Sequence, residues 1–134
     1  MNRKSILAFF IAFIMAVAPH AASYYVSPTG SDDSSGLSVS AAWATIDFGA
    51  SKGIVGPGDT VNILDGTYSV SNTVDLKTGG TAAAPIVYRG YGGQAVVDAQ
   101  SGSNPVFTLS KSHIRIEGLE LHSSKTYGVY LKKD

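Results

Sequence analysis

The chain has 134 residues, no cysteine and a formal net charge of zero. That length allows one domain at most. The charges are spread along the chain with no basic patch for a nucleic-acid partner, and the missing cysteine excludes disulfide stapling and a lipoprotein anchor.

Residues 1–23 read as a secretory signal peptide. Arg3 and Lys4 make a basic start, an unbroken apolar run covers 6–18, and Ala21, Ala22 and Ser23 supply small residues, so cleavage is expected between Ala21 and Tyr24. The apolar run falls short of the ~20 residues that a membrane span takes. The exported part, 24–134, is therefore expected to be secreted or periplasmic, with no membrane contact after cleavage. Losing Arg3 and Lys4 leaves it slightly acidic. All 15 glycines lie in this part, among many Ser and Thr, which suits a turn-rich β protein and argues against a helical bundle.

Along the exported part, residues 24–27 predict a short strand closed by Pro28, Thr29 and Gly30, and 31–40 a polar loop. Thr45 is placed to N-cap a helix over 46–54, whose Ile46, Ala50 and Ile54 share one face. Gly49 and Gly53 weaken that helix, so its apolar side needs something to cover. Pro57, Gly58 and Asp59 make a turn before a strand over 61–64. Asp65 and Gly66 make the next turn, 68–70 and 74–76 are short strands, and 79–85 is a loop.

The densest signal lies at 113–121. Ile114 and Ile116 alternate with His113, Arg115 and Glu117; after Gly118 the apolar residues are Leu119 and Leu121, so the phase slips by one. Within one straight strand such a slip would turn every side chain to the opposite face. A corner at Gly118 lets both segments point inward. Similar runs begin at Val61, Ile86 and Ile114, spaced 25 and 28 residues apart, while 95–98 precedes 119–121 by about one such period and 106–109 precedes 129–131 by 22 or 23. Short strands repeating at this interval mark a stacked solenoid. The expected fold is all-β, a right-handed parallel β-helix of about three or four coils at ~25 residues each, with a short N-terminal capping helix across its open end. Its core is expected to hold Ile63, Ile86, Ile114, Ile116, Leu119, Leu121, Val129 and Leu131.

A set of phrases then repeats a familiar order: Tyr24 to Asp32, Gly36-Leu37-Ser38, Ala42 to Ile46, Pro57 to Val61, Asp65 to Tyr68, Ala84-Pro85-Ile86 and Ile116 to Glu120. Together they resemble the opening of secreted right-handed β-helix proteins of the family 9 polysaccharide lyases, the pectate-lyase type. Chondroitinase- and alginate-lyase-like β-helix proteins share some of the phrases. The resemblance implies calcium-assisted β-elimination on an acidic, uronic-acid polysaccharide, with a lysine base and a cluster of aspartates on neighbouring coils. Neither carries over here: no aspartate cluster follows Asp98, and Lys111, Lys125, Lys132 and Lys133 stand in no matching motif. The catalytic residues therefore stay unknown, no metal or other cofactor is expected in this chain, and calcium is expected in a full-length parent. The chain, ending just after a strand, is expected to be the first coils of a longer lyase-like protein and inactive by itself. The alternative is a non-catalytic β-helix adhesin or carbohydrate-binding module.

Other signals have plainer readings. Gly90, Gly92 and Ala95 fit the spacing of a dinucleotide fingerprint, but residues 95–99 are β-like rather than helical, so a turn between coils is expected. Asp32 to Gly36 offers clustered oxygens, yet Ala42 stands where a calcium loop places its bidentate Glu, so a solvated turn is expected. His113, Arg115 and Glu117 on one strand, with Glu120 and His122 on the next, form an outward row suited to sugar acids, although a solvated face is the commoner use. Tyr127 and Tyr130 are candidates for stacking on sugar rings, with packing again commoner.

Overall fold

A computed structural model describes residues 20–100, 104–122 and 127–132. The expected signal peptide falls almost wholly outside them, as do Lys125 and Lys133.

Every strand pair is parallel. β1 (Ser23–Val26), β2 (Thr60–Ser69), β4 (Ile86–Asp98) and β6 (Ile114–Glu117) lie side by side in one sheet, with β7 (Leu119–His122) also on β4; β3 (Val74–Leu76), β5 (Phe107–Leu109) and β8 (Val129–Leu131) make a second. Each coil thus contributes a long or bent strand to the first sheet and a three-residue strand to the second. The coils run β2–β3, β4–β5 and β6–β7–β8. This is a parallel β-helix, and no hairpin joins Ile86 to the 113–117 segment.

The corners explain how one chain segment serves two directions. β2 shifts register between Leu64 and Gly66, and the partner of Leu64 is Tyr91 while that of Gly66 is Ala95. The residues between, Gly92, Gly93 and Gln94, bulge outward, so the expected turns at Asp65-Gly66 and Gly90–Ala95 are bends inside single strands. On the next coil Gly118 alone makes the bend, with φ of 61°. Such a φ costs an L residue roughly 1–2 kcal/mol, which is why glycine stands there. Ile114, Ile116, Leu119 and Leu121 all pack against the core, and Arg115, Glu117, Glu120 and His122 all face water. The phase slip at Gly118 is this corner.

Ile63, Ile86, Val61, Tyr88, Val97, Leu76, Val106 and Phe107 are fully buried. Removing each such aliphatic side chain, or the Phe107 ring, from water stabilises the stack by ~1.5–3 kcal/mol. The Tyr88 hydroxyl, by contrast, is buried without a hydrogen-bond partner among the described residues, which offsets part of its ring's gain. Val129 and Leu131, expected in the core, are 40% and 70% exposed, because β8 is the outer strand of its sheet and nothing among the described residues stacks on it. The register also corrects the repeat: Val61 pairs with Tyr88, two positions beyond Ile86.

The N-terminal cap is built around Trp43. Its ring, 1% exposed, stacks on Tyr24 at 4.8 Å and its Nε1 donates to the Ser34 carbonyl at 3.1 Å. The capping helix α1 is one turn, Phe48–Ser51, shorter than 46–54. Gly53, at φ 67°, ends it in a left-handed turn, with Ile54 N–H returning to the Gly49 carbonyl at 2.8 Å. Ile46 and Ala50 are buried as expected, but Ile54 is left 44% exposed beyond the helix end. Thr45 does not cap α1 with its hydroxyl; that group donates to Asp32 at 2.7 Å.

Asp59 is a buried acid that ties the first strand to the turn before β2. Its carboxylate accepts the N–H of Ala22 at 2.8 Å and of Gly56 at 2.9 Å, while Gly58 supplies the turn's φ of 89°. The Tyr68 hydroxyl lies 3.0 Å from the Val26 carbonyl and 2.9 Å from that of Leu64, and burial pushes its ionisation well above the usual tyrosine range. Both phrases are joints of the first coil.

Candidate functional site

Side chains alternate across a strand, so the residues that point away from the core form rows along the outer face of the first sheet. One row is Tyr25, Asn62, Arg89 and Glu117, aligned by register from β1 through β2 and β4 to β6. Asn62 is 1% exposed although it lies on the outer face. Its Nδ2 donates to the Tyr24 carbonyl at 3.1 Å, and its Oδ1 accepts the Arg89 Nε–H at 2.9 Å. Tyr91, two residues after Arg89 on the same side of β4, meets Tyr25 edge to face with centroids 5.7 Å apart.

Beyond the corner two more rows follow, Thr67–Val96–Glu120 and Ser69–Asp98–His122. Glu120 Oε1 lies 2.6 Å from His122 Nε2, and the Gln94 amide donates to the other carboxylate oxygen. The His122 ring first, and the Gln94 amide second, hold the Glu120 carboxyl below its ordinary range. A carboxylate stabilised in this way is a poor base, and on this exposed face the pair mainly satisfies itself.

A cleft of about 390 Å³ opens beside the first coil, between Pro28, Thr45, Asp47 and the 67–74 segment. Its lining carries the hydroxyl residues Thr67, Ser69, Ser71 and Thr73. Burial, partly opposed by hydrogen bonds from the backbone, raises the pKa of Asp47.

The expected outward row is assembled except for His113. That residue sits in the turn before β6 at φ 58°, and its carbonyl accepts the Ile86 N–H at 3.0 Å. Arg115 and Glu117 are exposed. Tyr127 and Tyr130 are 70% and 48% exposed at the edge of the second sheet, away from the Arg89 row. Sequence reasoning missed Arg89 and Asn62, because only the register brings them together.

Asp32 fastens the 31–36 loop to the cap. Both oxygens of Asp32 are taken, one by the N–H groups of Ala44 and Thr45 at 2.8 and 3.0 Å, the other by the Thr45 hydroxyl. The loop is a clasp on the cap. Among the described residues no group of three or more His, Asp or Glu is gathered as a metal site.

Parallel coils with a plugged N-terminal end define a parallel β-helix, whose outer sheet face carries aromatic, amide and charged side chains. The family model described as the Pel9A-like, right handed beta helix region matches residues 24–134, and the chain belongs to that family. Pectate lyase PEL9 of Emericella nidulans is 34% identical over 97 residues, covering 72% of this chain and 22% of its own. The uncharacterized protein YwoF of Bacillus subtilis is 33% identical over 104 residues, covering 72% and 21%. Among solved structures, a rhamnogalacturonan lyase superposes with a TM-score of 0.63 at 25% identity over 75% of this chain and 28% of its own. The chain spans about a fifth of the length of the curated relatives it matches.

Proposed function

We propose that this chain forms the N-terminal coils of an exported polysaccharide lyase that cleaves a uronic-acid polymer by β-elimination. The observation that carries the reading is the match over 24–134 to the Pel9A-like family, joined by 34% identity to a pectate lyase. β-Elimination demands a base that removes the proton α to the uronate carboxylate and a positive charge that stabilises the carbanion-like transition state. In this reading both belong to coils beyond the matched fifth of the relatives, where calcium is held, and the coils described here cap the helix and extend its sugar-facing surface. The basic Arg3 and Lys4 followed by the apolar run over 6–18, the pattern of a secretory leader, support export to the periplasm or outside the cell, where such a substrate lies.

The test is the gene product including whatever is encoded beyond Asp134, assayed on polygalacturonate with and without calcium. A calcium-dependent rise in ultraviolet absorbance from the unsaturated uronate supports the lyase. Binding of the polymer without any such rise identifies a non-catalytic adhesin or carbohydrate-binding module instead.

A further inference from the structure

Asn62 occupies an unusual place. An outward-facing position on a sheet is normally wet, yet this amide is buried. Its register partner on β1 is Tyr25, and Tyr91 on β4, the strand on the other side of β2, meets that ring edge to face, so the two tyrosines border the strand that carries Asn62. Burying an amide costs free energy unless its donors and acceptor are bonded. Here the donor end is spent on the backbone of β1 and the acceptor end on Arg89.

That second bond matters for Arg89. It fastens the guanidinium by its inner nitrogen, Nε, and leaves both terminal amino groups for other partners. Among the described residues no carboxylate lies within ion-pair distance of Arg89; Glu117, its register partner on β6, forms no salt bridge with it. Arg115, by contrast, is exposed without any side-chain hydrogen bond among the described residues. One arginine of this face is held in position and open; the other is only solvated.

We propose that Arg89 is a carboxylate-binding subsite for one uronic-acid residue of the polysaccharide, with Asn62 as its positioning residue and Tyr25 and Tyr91 as the apolar border. A guanidinium presents paired N–H donors that match the two oxygens of a carboxylate, and fixing its orientation beforehand removes part of the entropic cost of binding. Tyrosine rings offer the C–H face of a sugar a surface that is apolar yet tolerant of water. The inference rests on the lyase reading for its ligand class, and it adds a specificity residue that elimination chemistry does not require.

The test is a titration of the full chain, followed by NMR, with trigalacturonate and with its fully methyl-esterified form, which lacks the charge. The wild-type chain is expected to bind the acid at least tenfold more tightly than the ester. Arg89→Ala should remove that preference, Arg89→Lys should keep only part of it because an ammonium cannot bind bidentately, and Arg115→Ala should leave it within twofold of wild type. Asn62→Ser should lower the acid-to-ester ratio while ester binding stays constant; a merely structural role would weaken both ligands alike. Equal affinity for acid and ester, an Arg89→Ala chain that still prefers the acid, or no binding at all would each overturn the subsite. None of these outcomes touches the lyase reading, which stands or falls on the elimination activity of the longer gene product.

Discussion

Gly90 and Gly118 face each other across adjacent coils so closely that a methyl group on Gly90 would overlap the Gly118 carbonyl oxygen. The two glycines do different work. Gly118 bends the chain through a positive φ, and Gly90 gives the bend room. Alanine at 118 meets nothing nearer than the Gly90 nitrogen at 3.8 Å, so it carries only the backbone strain. We expect Gly118→Ala to cost about 1 kcal/mol and Gly90→Ala about 3 kcal/mol, since backbone cannot move aside as a side chain can. Urea unfolding of both variants checks the order; equal losses would mean that the corner is looser than described.

The cap offers a coupling prediction. Gly36, at φ 73°, and Gly49 both lie against the Trp43 ring, and a Cβ on Gly49 would come within 2.5 Å of it. Gly49→Ala should destabilise the wild-type cap, and less so once Trp43→Leu has removed the ring. A double-mutant cycle should return a coupling of about 0.5–3 kcal/mol. Strict additivity would show that Gly49 is needed for a reason other than Trp43.

At Asp59, removal of the side chain strands two N–H groups. Asp59→Ala should cost about 3 kcal/mol, given ~1.5–3 for each hydrogen bond to a charged group and partial rescue by water. Asp59→Asn keeps one acceptor oxygen and should lose roughly half as much. Thermal unfolding of the two variants gives the ranking, and the reverse ranking would count against the clasp.

The pH dependence at Asp47 has a definite sign. Burial raises its folded-state pKa above the unfolded value, so the native protein binds this proton more tightly. The contribution to stability is present at low pH and is lost as pH rises through the carboxylate range toward the folded pKa. Asp47→Asn, which cannot ionise, should flatten that part of the stability profile and gain on wild type as pH goes from about 3 to about 7. Denaturant midpoints across this range measure the difference; a variant that loses ground toward neutral pH would contradict it.

Much of the fold was legible in the sequence because its signals were local. The phase slip at Gly118 required a corner, and the corner is there. The register of the first two coils was not legible, since a two-residue slip between Val61 and Ile86 preserves which side chains point inward and alternation alone cannot detect it. The helix over 46–54 shrank to one turn because Gly53 takes a left-handed φ and Gly49 packs under Trp43, tertiary demands that override a three-residue apolar stripe. The site was less legible still. Asn62 and Arg89 are 27 residues apart and meet only once the register is known. Arg115 stood out in the sequence because it shares a strand with charged neighbours, but nothing among the described residues holds it in place.

The most direct measurement is the elimination assay on the 134-residue chain itself, with polygalacturonate and calcium. Under the proposed function these coils serve capping and substrate contact, and base and cation belong to coils outside them. The expected result is a flat ultraviolet trace, even where the acid oligomer binds. A calcium-dependent rise with the purified chain, abolished by Lys111→Ala or Lys125→Ala, would contradict it and place the chemistry within these first coils.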